Sequence, residues 1–197
     1  YRCTPVNLGG DHLLLRGYPV GHSDGTDTQS LCLSHDAGTT WSELQPVPHL
    51  PDGRPASTDV ALHPLVENGR ASFVFYAPLT EDDPARHDGI RTQTVIYPFD
   101  FNSATWEAPT FLPVAWRTSE GSIVRTQDGT LAGAFRTSQP AIPELSDHWR
   151  GILTSRSTDD GRTWAEPTVH SLYGHVHTHL TVLPDGRLLM TFAARIG

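Results

Sequence analysis

Apolar residues along this chain gather in short runs rather than in helical stripes. The runs "LLLRGY", "SLCLS", "ASFVFY", "RTQTVIYPF", "LAGAFR", "GILTSRS" and "LLMTF" are, as a group, rich in Val, Ile, Phe, Tyr and Thr. None sustains a helical period, and β-branched and aromatic residues favour a pleated, half-buried surface. Pairs of runs are joined by turn formers: GGD at 9–11, NG at 68–69, and DG at 128–129 and 185–186. Such residues between apolar runs predict two-residue β-hairpins. The pattern predicts an all-β chain.

The hairpins recur. "TPVNLGGDHLLLRGY", "DVALHPLVENGRASFVFY", "GSIVRTQDGTLAGAFR" and "HTHLTVLPDGRLLMTF" each read as run, turn, run. After each of the first three come a loop, a third run and a short fourth one. Each unit is then four antiparallel strands over about 60 residues, the size and order of one β-propeller blade. The units fall at about 1–50, 51–113 and 114–170, with a truncated one at 171–197. The chain therefore reads as a single domain of about three and a half blades. Such an array cannot close a ring, and open sheet edges invite pairing. The remaining blades, or a partner, are expected to complete it.

A second repeat is nested in the first. "SHDAGTTW" spans Ser34 to Trp41, and "STDDGRTW" spans Ser157 to Trp164. A degenerate copy, with one residue inserted between Asp100 and Trp106, leads into "TWEAPTFLP". The spacing predicts a turn between third and fourth strands. Asp36 and Asp159 accept backbone N–H groups across it. Gly38 and Gly161 supply positive φ. Trp41 and Trp164 fill the space between neighbouring blades. All of this is structural.

Composition narrows the chemistry. The net charge is −8 with no basic run, which argues against nucleic acid, whose phosphates need clustered cations. All 14 basic residues are Arg. Arg suits forked recognition of carboxylates, although GC-rich coding produces the same bias. No apolar run is long enough to predict a membrane span. Cys3 and Cys32 give no disulfide framework and pair only if their strands are neighbours.

Aligning the units on Leu13, Leu131 and Leu188 puts Arg2, Glu120 and His177 at one shared position, eleven residues earlier. Asp59 lies beside the equivalent place in the second unit. That position begins the first strand of each unit, so these polar residues are expected around one mouth. Long second-to-third-strand loops converge there, a placement that favours binding. The first carries Asp24 and Asp27. The third is entered through Arg136 and contains Trp149, which can stack on a sugar or pack on the rim. A ring of carboxylates and arginines suits glycoside chemistry. Asp24 or Asp27 would be the acid and Glu120 a second carboxylate, with Arg2 and Arg136 holding a substrate carboxylate. In "HVHTH", strand alternation would put His175, His177 and His179 on one face. Such a face can bind zinc or hydrogen-bond a sugar, and His177 is the best placed for the sugar.

The pattern S-x-D-x-G-x-T-W resembles the Asp box, or BNR repeat, of the sialidase (neuraminidase) superfamily. "YRCTP" resembles that family's Arg-Ile-Pro segment, with one residue added before the proline. "HSDGTD" resembles the loop that carries its acid/base aspartate. "SEGSIVRTQDGTLAGAFR" closely resembles its glutamate segment. The run from Trp116 to Arg136 and "LPDGRLLMTF" look most like sialidase-like hydrolases of bacteria. The resemblance implies a six-bladed propeller and retaining exo-hydrolysis of a terminal acidic sugar such as sialic acid, without a cofactor. It implies that Glu120 polarises a nucleophilic tyrosine and that Arg136 is one of three arginines gripping the carboxylate. The tyrosine and the third arginine would lie in later blades. A glycan substrate would suit a secreted or periplasmic setting in a bacterium, and the residues themselves leave the compartment open. Three rivals stand beside this reading. One is an exo-glycosidase for another sugar, and one is a non-catalytic propeller that binds glycans or proteins. The third is a metal-dependent enzyme built on the histidines.

Overall fold

The computed structural model describes residues 2–18, 30–56, 64–79, 92–113, 118–138, 150–171 and 174–194. These residues form strands and turns and no helix. Three antiparallel sheets follow one another along the chain, and a two-stranded sheet succeeds them. Sheet one holds β1 (Arg2–Gly9), β2 (His12–Tyr18), β3 (Ser30–Ser34) and β4 (Gln45–Pro46) in that order. Sheet two holds β5 (Leu65–Glu67), β6 (Arg70–Pro78), β7 (Thr92–Asp100) and β8 (Thr105–Trp106), and β9 (Thr110–Phe111) also pairs with β7. Sheet three holds β10 (Thr118–Arg125), β11 (Leu131–Ser138), β12 (Arg150–Ser157) and β13 (Thr168–Ser171). Sheet four is β14 (His175–Val182) with β15 (Leu188–Ala194).

The sheets stack face to face. Phe73 and Phe75 of β6 and Val95, Tyr97 and Phe99 of β7 pack on Val6, Leu14, Leu31 and Leu33 of sheet one. The alternate residues Val74 and Ile96 pack the other way, against Ile123, Leu131, Phe135 and Leu153 of sheet three. A middle sheet buried on both faces loses its polar alternation, which is why "ASFVFY" and "TVIYPF" read as nearly continuous apolar runs. Ala132 and Ala134 of β11 then meet Leu180 of β14, with Leu188 and Met190 of β15 at the margin.

The hairpin turns differ in kind. Asn68 and Gly69, with φ of 50° and 80°, make the expected two-residue turn of type I′. The Asp-Gly turns are longer than expected. Gly129 N–H donates to Thr126 O at 3.0 Å and Thr126 N–H to Thr130 O at 2.9 Å, a type I turn closed by Gly129 at φ 87°. Gly186 repeats this between Leu183 and Arg187. Asp128 decides the choice, because its Oδ1 accepts the Thr130 N–H and the Thr126 hydroxyl and so stabilises the wider loop.

The octapeptides fold alike. Asp36 Oδ1 accepts Thr40 N–H at 2.8 Å and the Ser34 hydroxyl at 2.8 Å, and its Oδ2 accepts the Thr40 hydroxyl at 2.6 Å. Asp159 repeats all three bonds with Thr163 and Ser157 at 2.9, 2.8 and 2.6 Å. Their tryptophans, however, differ. Trp164 is buried between sheets two and three, edge-on to Phe135. Trp106 has the same role between sheets one and two, packed on Tyr97 and Phe99. Trp41 is 41 % exposed, contrary to the expectation that it fills a gap between blades. Each tryptophan packs toward the preceding sheet, and no described sheet precedes sheet one.

The two cysteines do not meet the condition for pairing. Cys3 lies on β1 and Cys32 on β3, on opposite sides of β2. Strands two places apart are separated by about 9–10 Å, beyond the span of a disulfide.

Candidate functional site

The register relates the units through their hairpins, and one residue of β10 falls out of step with β1. Leu13 of β2 lies opposite Ser34, and Leu131 of β11 lies opposite Ser157, so the two hairpins superpose on their octapeptide serines. Arg2 then begins β1 opposite Tyr18, and Ser119, next to Glu120, lies opposite Arg136. Arg2 and Glu120 thus occupy the same end of the first strand in their sheets, away from the hairpin turns and octapeptides.

What the alignment did not reveal is a shared irregularity. The β10–β11 register shifts between Ser119 and Gly121, so Glu120 is an extra residue with no partner position. The β14–β15 register shifts between Val176 and His179, so that His177 and Thr178 together face the single residue Phe192. Both are β-bulges, a device that bends a strand and re-aims a side chain. Gly121 is required beside the first of them, because a Cβ there would overlap the Phe135 ring and the Ala134 carbonyl. His177 has φ of 55°, in the left-handed region that Ala37, Ala104 and Asp160 also adopt.

The bulge also corrects the reading of "HVHTH". An extra residue breaks the alternation, so His175, His177 and His179 do not share one strand face. His175 accepts or donates a hydrogen bond with Ser171 Oγ and stands edge-on to Phe192 at 4.5 Å. His179 is exposed. Among the described residues no group of three His, Cys, Asp or Glu side chains is placed to hold a metal.

Arg136 is 8 % exposed, on β11 beside the Glu120 bulge. Ala132 and Ala134, four and two residues before it, face sheet four, so alternation turns Arg136 to that side as well. A second buried arginine escaped the sequence reading. Arg16 of β2 is 2 % exposed and lies in register between Thr4 of β1 and Leu31 of β3. Its signal was the two-residue step from Leu14, which packs toward sheet two. The run of three leucines before it hid the alternation. A guanidinium is tolerated at such depth only where charge or hydrogen bonding compensates it. Asp24, Asp27, Asp59 and Trp149 lie outside the described residues.

The opposite end of the sheets carries the tightest electrostatics. Arg125 of β10 bonds Glu67 of the preceding sheet and Asp160 of the second octapeptide, both at 2.5 Å. Arg70 reaches Asp160 at 3.4 Å and Glu107 at 3.2 Å. Bonding to these carboxylates raises the Arg125 pKa, and Arg125 in turn lowers that of Asp160. Glu67, Arg70, Arg125 and Asp160 line a cavity of about 220 Å³ together with Leu65, Asn68, Ser72 and Leu131. Two arginines set against three carboxylates make it a seam between sheets two and three, and it lies at the hairpin-turn end, remote from Glu120.

Comparison with solved structures places this geometry. A protein of unknown function from Dyadobacter fermentans superposes with a TM-score of 0.67 at 21 % identity, over 96 % of this chain and 55 % of its own. Trypanosoma rangeli sialidase in complex with the inhibitor DANA matches at 0.66 and 15 % identity, over 98 % of this chain and 34 % of its own. Penicillium chrysogenum α-L-arabinanase complexed with arabinobiose matches at 0.58 and 13 % identity, over 91 % and 53 %. The chain thus spans about half the length of the first and a third of the second. No family model and no curated protein matches the sequence. The fold is that of β-propeller glycoside hydrolases, built from successive antiparallel sheets.

Proposed function

We propose that the protein is an exo-glycoside hydrolase of sialidase type, releasing a terminal acidic sugar with retention of configuration. In this reading the sheets are blades of a six-bladed propeller, the chain supplies about three and a half of them, and the octapeptides are Asp boxes. The observation that carries it is the bulge at Glu120, placed at the end of β10 and beside the buried Arg136. A Glu and an Arg at neighbouring strand positions, at the end of the sheets away from the turns, suit a reaction in which positive charge develops on an acidic sugar. The acid, Asp24 or Asp27, protonates the leaving oxygen. A nucleophile attacks the anomeric carbon, and Glu120 draws the proton from it. Water then attacks the anomeric carbon with the same Asp acting as base, and the departing nucleophile takes its proton back from Glu120. Arg2 and Arg136 hold the sugar carboxylate through paired N–H bonds, and Asp59, Trp149 and His177 line the rim.

A second reading is favoured by the likeness to the arabinanase and to an α-L-arabinofuranosidase from Fusarium graminearum. The same fold then acts on a neutral pentose. The arginines separate the two, since a carboxylate-binding Arg136 discriminates between acidic and neutral glycosides. The test is turnover of aryl sialosides and aryl arabinofuranosides by the wild type and by Glu120→Gln and Arg136→Met. The sialidase reading expects turnover of the sialoside and a loss of at least ~100-fold in kcat/KM for Glu120→Gln. Arg136→Met should raise KM for the sialoside alone. Equal turnover by wild type and Glu120→Gln would remove Glu120 from the chemistry. No turnover of either glycoside by the protein carrying all its blades would leave a binding propeller.

A further inference from the structure

We propose that the cavity between sheets two and three binds a small neutral polyol, of the class of a single sugar, apart from the end of the sheets that holds Glu120. The inference stands whether or not the protein hydrolyses glycosides. It begins from the seams on either side. Ser42, Glu107 and Ala165 donate their backbone N–H groups to Leu33, Pro98 and Arg156, so these third-strand residues are equivalent in sheets one, two and three. They pair in turn with Leu14, Ser72 and Ala132. Leu14 is fully buried in the core between sheets one and two, and Ala132 packs on Leu180 of sheet four. Ser72 is the polar one of the three, and it lines a cavity of about 220 Å³. Two residues before Leu14, His12 stands over the Phe101 ring at 5.9 Å, where sheet two has Arg70. The neighbouring seams thus close with apolar contacts at these places. The polar hollow is a feature of this one seam and not a requirement of the fold.

Three lining groups are left for a ligand. Arg70 Nε is enclosed and donates to no acceptor in the protein. The side chains of Ser72 and Asn68 make no hydrogen bond to another described residue. Between them they offer both donors and acceptors. Leu65 and Leu131 add apolar surface for C–H groups. A few convergent polar groups in a partly apolar hollow mark a small-molecule site. Charge sets the class of ligand. Arg125 is engaged by Glu67, Asp160 and the Gly129 carbonyl, and Arg70 holds Asp160 and Glu107. An anion would meet three carboxylates and two arginines already paired with them, and a cation would meet those same arginines. A hydroxyl donates and accepts without charge, and so suits Arg70 Nε, Ser72 and Asn68 together. Size sets the limit. At ~30 Å³ per water the space holds about seven waters. It is smaller than the ~300 Å³ at which pockets for drug-sized ligands begin, and it suits one sugar ring. Asn68 is exposed, so the hollow opens to solvent at that residue.

The probes are L-arabinose, D-galactose and acetate, titrated into the full chain while the Arg70 Nε–H and Asn68 side-chain amide resonances are followed. The proposal expects a saturable shift of both resonances, in the millimolar range, with at least one of the sugars and none with acetate. Asn68→Gly keeps the left-handed turn and removes one hydrogen-bonding group, so it should weaken the sugar about 3–10-fold as read at Arg70. Ser72→Leu fills the space as Leu14 does in the neighbouring seam. It should abolish the shift while the melting temperature holds or rises. No shift with either sugar would mean that the cavity holds water only, and would overturn the proposal. A shift with acetate alone would make it an anion site and overturn it as well. A sugar shift that survives Ser72→Leu unchanged would put the ligand elsewhere, with the same consequence. Glu120→Gln should bind the sugar in the seam as the wild type does, which keeps this test separate from that of the hydrolase reading.

Discussion

Asp159 accepts three hydrogen bonds from its own turn, and Asp36 accepts the same three from residues of the same kind. The Thr hydroxyl, the Thr backbone N–H and the Ser hydroxyl all favour the ionised carboxylate, and they bring both groups from 3.8 down to about 2. A carboxyl depressed by folding adds stability above its unfolded pKa and loses it as pH falls through the folded one. The two turns therefore weaken between about pH 4 and pH 2. Asp36→Asn with Asp159→Asn should lower the melting temperature at pH 7 and flatten its fall across that window. Thermal melts at half-unit steps of pH read this directly. An acid limb as steep in the double variant as in the wild type would assign the acid sensitivity to other carboxylates.

At the scale of the element, the tryptophans show how one motif acquires different weight from its place in the array. Trp164 packs against Phe135 and over Gly133, where a Cβ would overlap the Phe135 ring and crowd the indole. Trp164→Ala should cost about 3–5 kcal/mol, as for a large aromatic removed from a core. Trp41, 41 % exposed over Gly38, should cost about 1 kcal/mol or less on the same change. Urea denaturation of the two variants compares them, and equal costs would mean that Trp41 is covered in solution. These matching octapeptides show what the sequence makes legible. Local rules, such as Asp capping a turn or Asn-Gly reversing a hairpin, act within a few residues and can be read one by one. The strand order and the end of the sheets that holds Arg2 and Glu120 follow from them. Relations between sheets were hidden. Nothing in "HVHTH" announces that His177 and Thr178 face one residue, because a bulge depends on pairing with β15. Nothing in "LLLRGY" separates Arg16 from its leucines, because burial depends on sheet two. The inserted residue after Asp100 was visible, but the division of the fourth strand into β8 and β9 was not.

The molecule as a whole is an array of sheets in which the interior members are covered on both faces and the outer ones are not. Sheet two is the clearest interior case, since alternate residues of β6 and β7 serve two separate cores. Sheet four is the contrary case. Phe192 stands at the register position that Phe135 holds in sheet three, yet it is 46 % exposed where Phe135 is fully buried. The difference follows from strand number. Phe135 is covered by Trp164, which follows the third strand of its sheet, and sheet four has only two described strands. Leu189 on the same strand is also 46 % exposed, and β15 pairs only with β14 among the described residues. An exposed strand edge with apolar side chains is a template for pairing with another chain, and lysine on such a strand blocks it. The edge of β15 should therefore take up a further strand, from elsewhere in the protein or from a second copy. Leu189→Lys with Phe192→Lys should hold the chain monomeric without changing the melting temperature of the remaining sheets. Sedimentation velocity over a concentration series measures this. A wild-type chain that stays monomeric throughout would mean that β15 is already covered, and the variant would then lose stability instead of gaining dispersity.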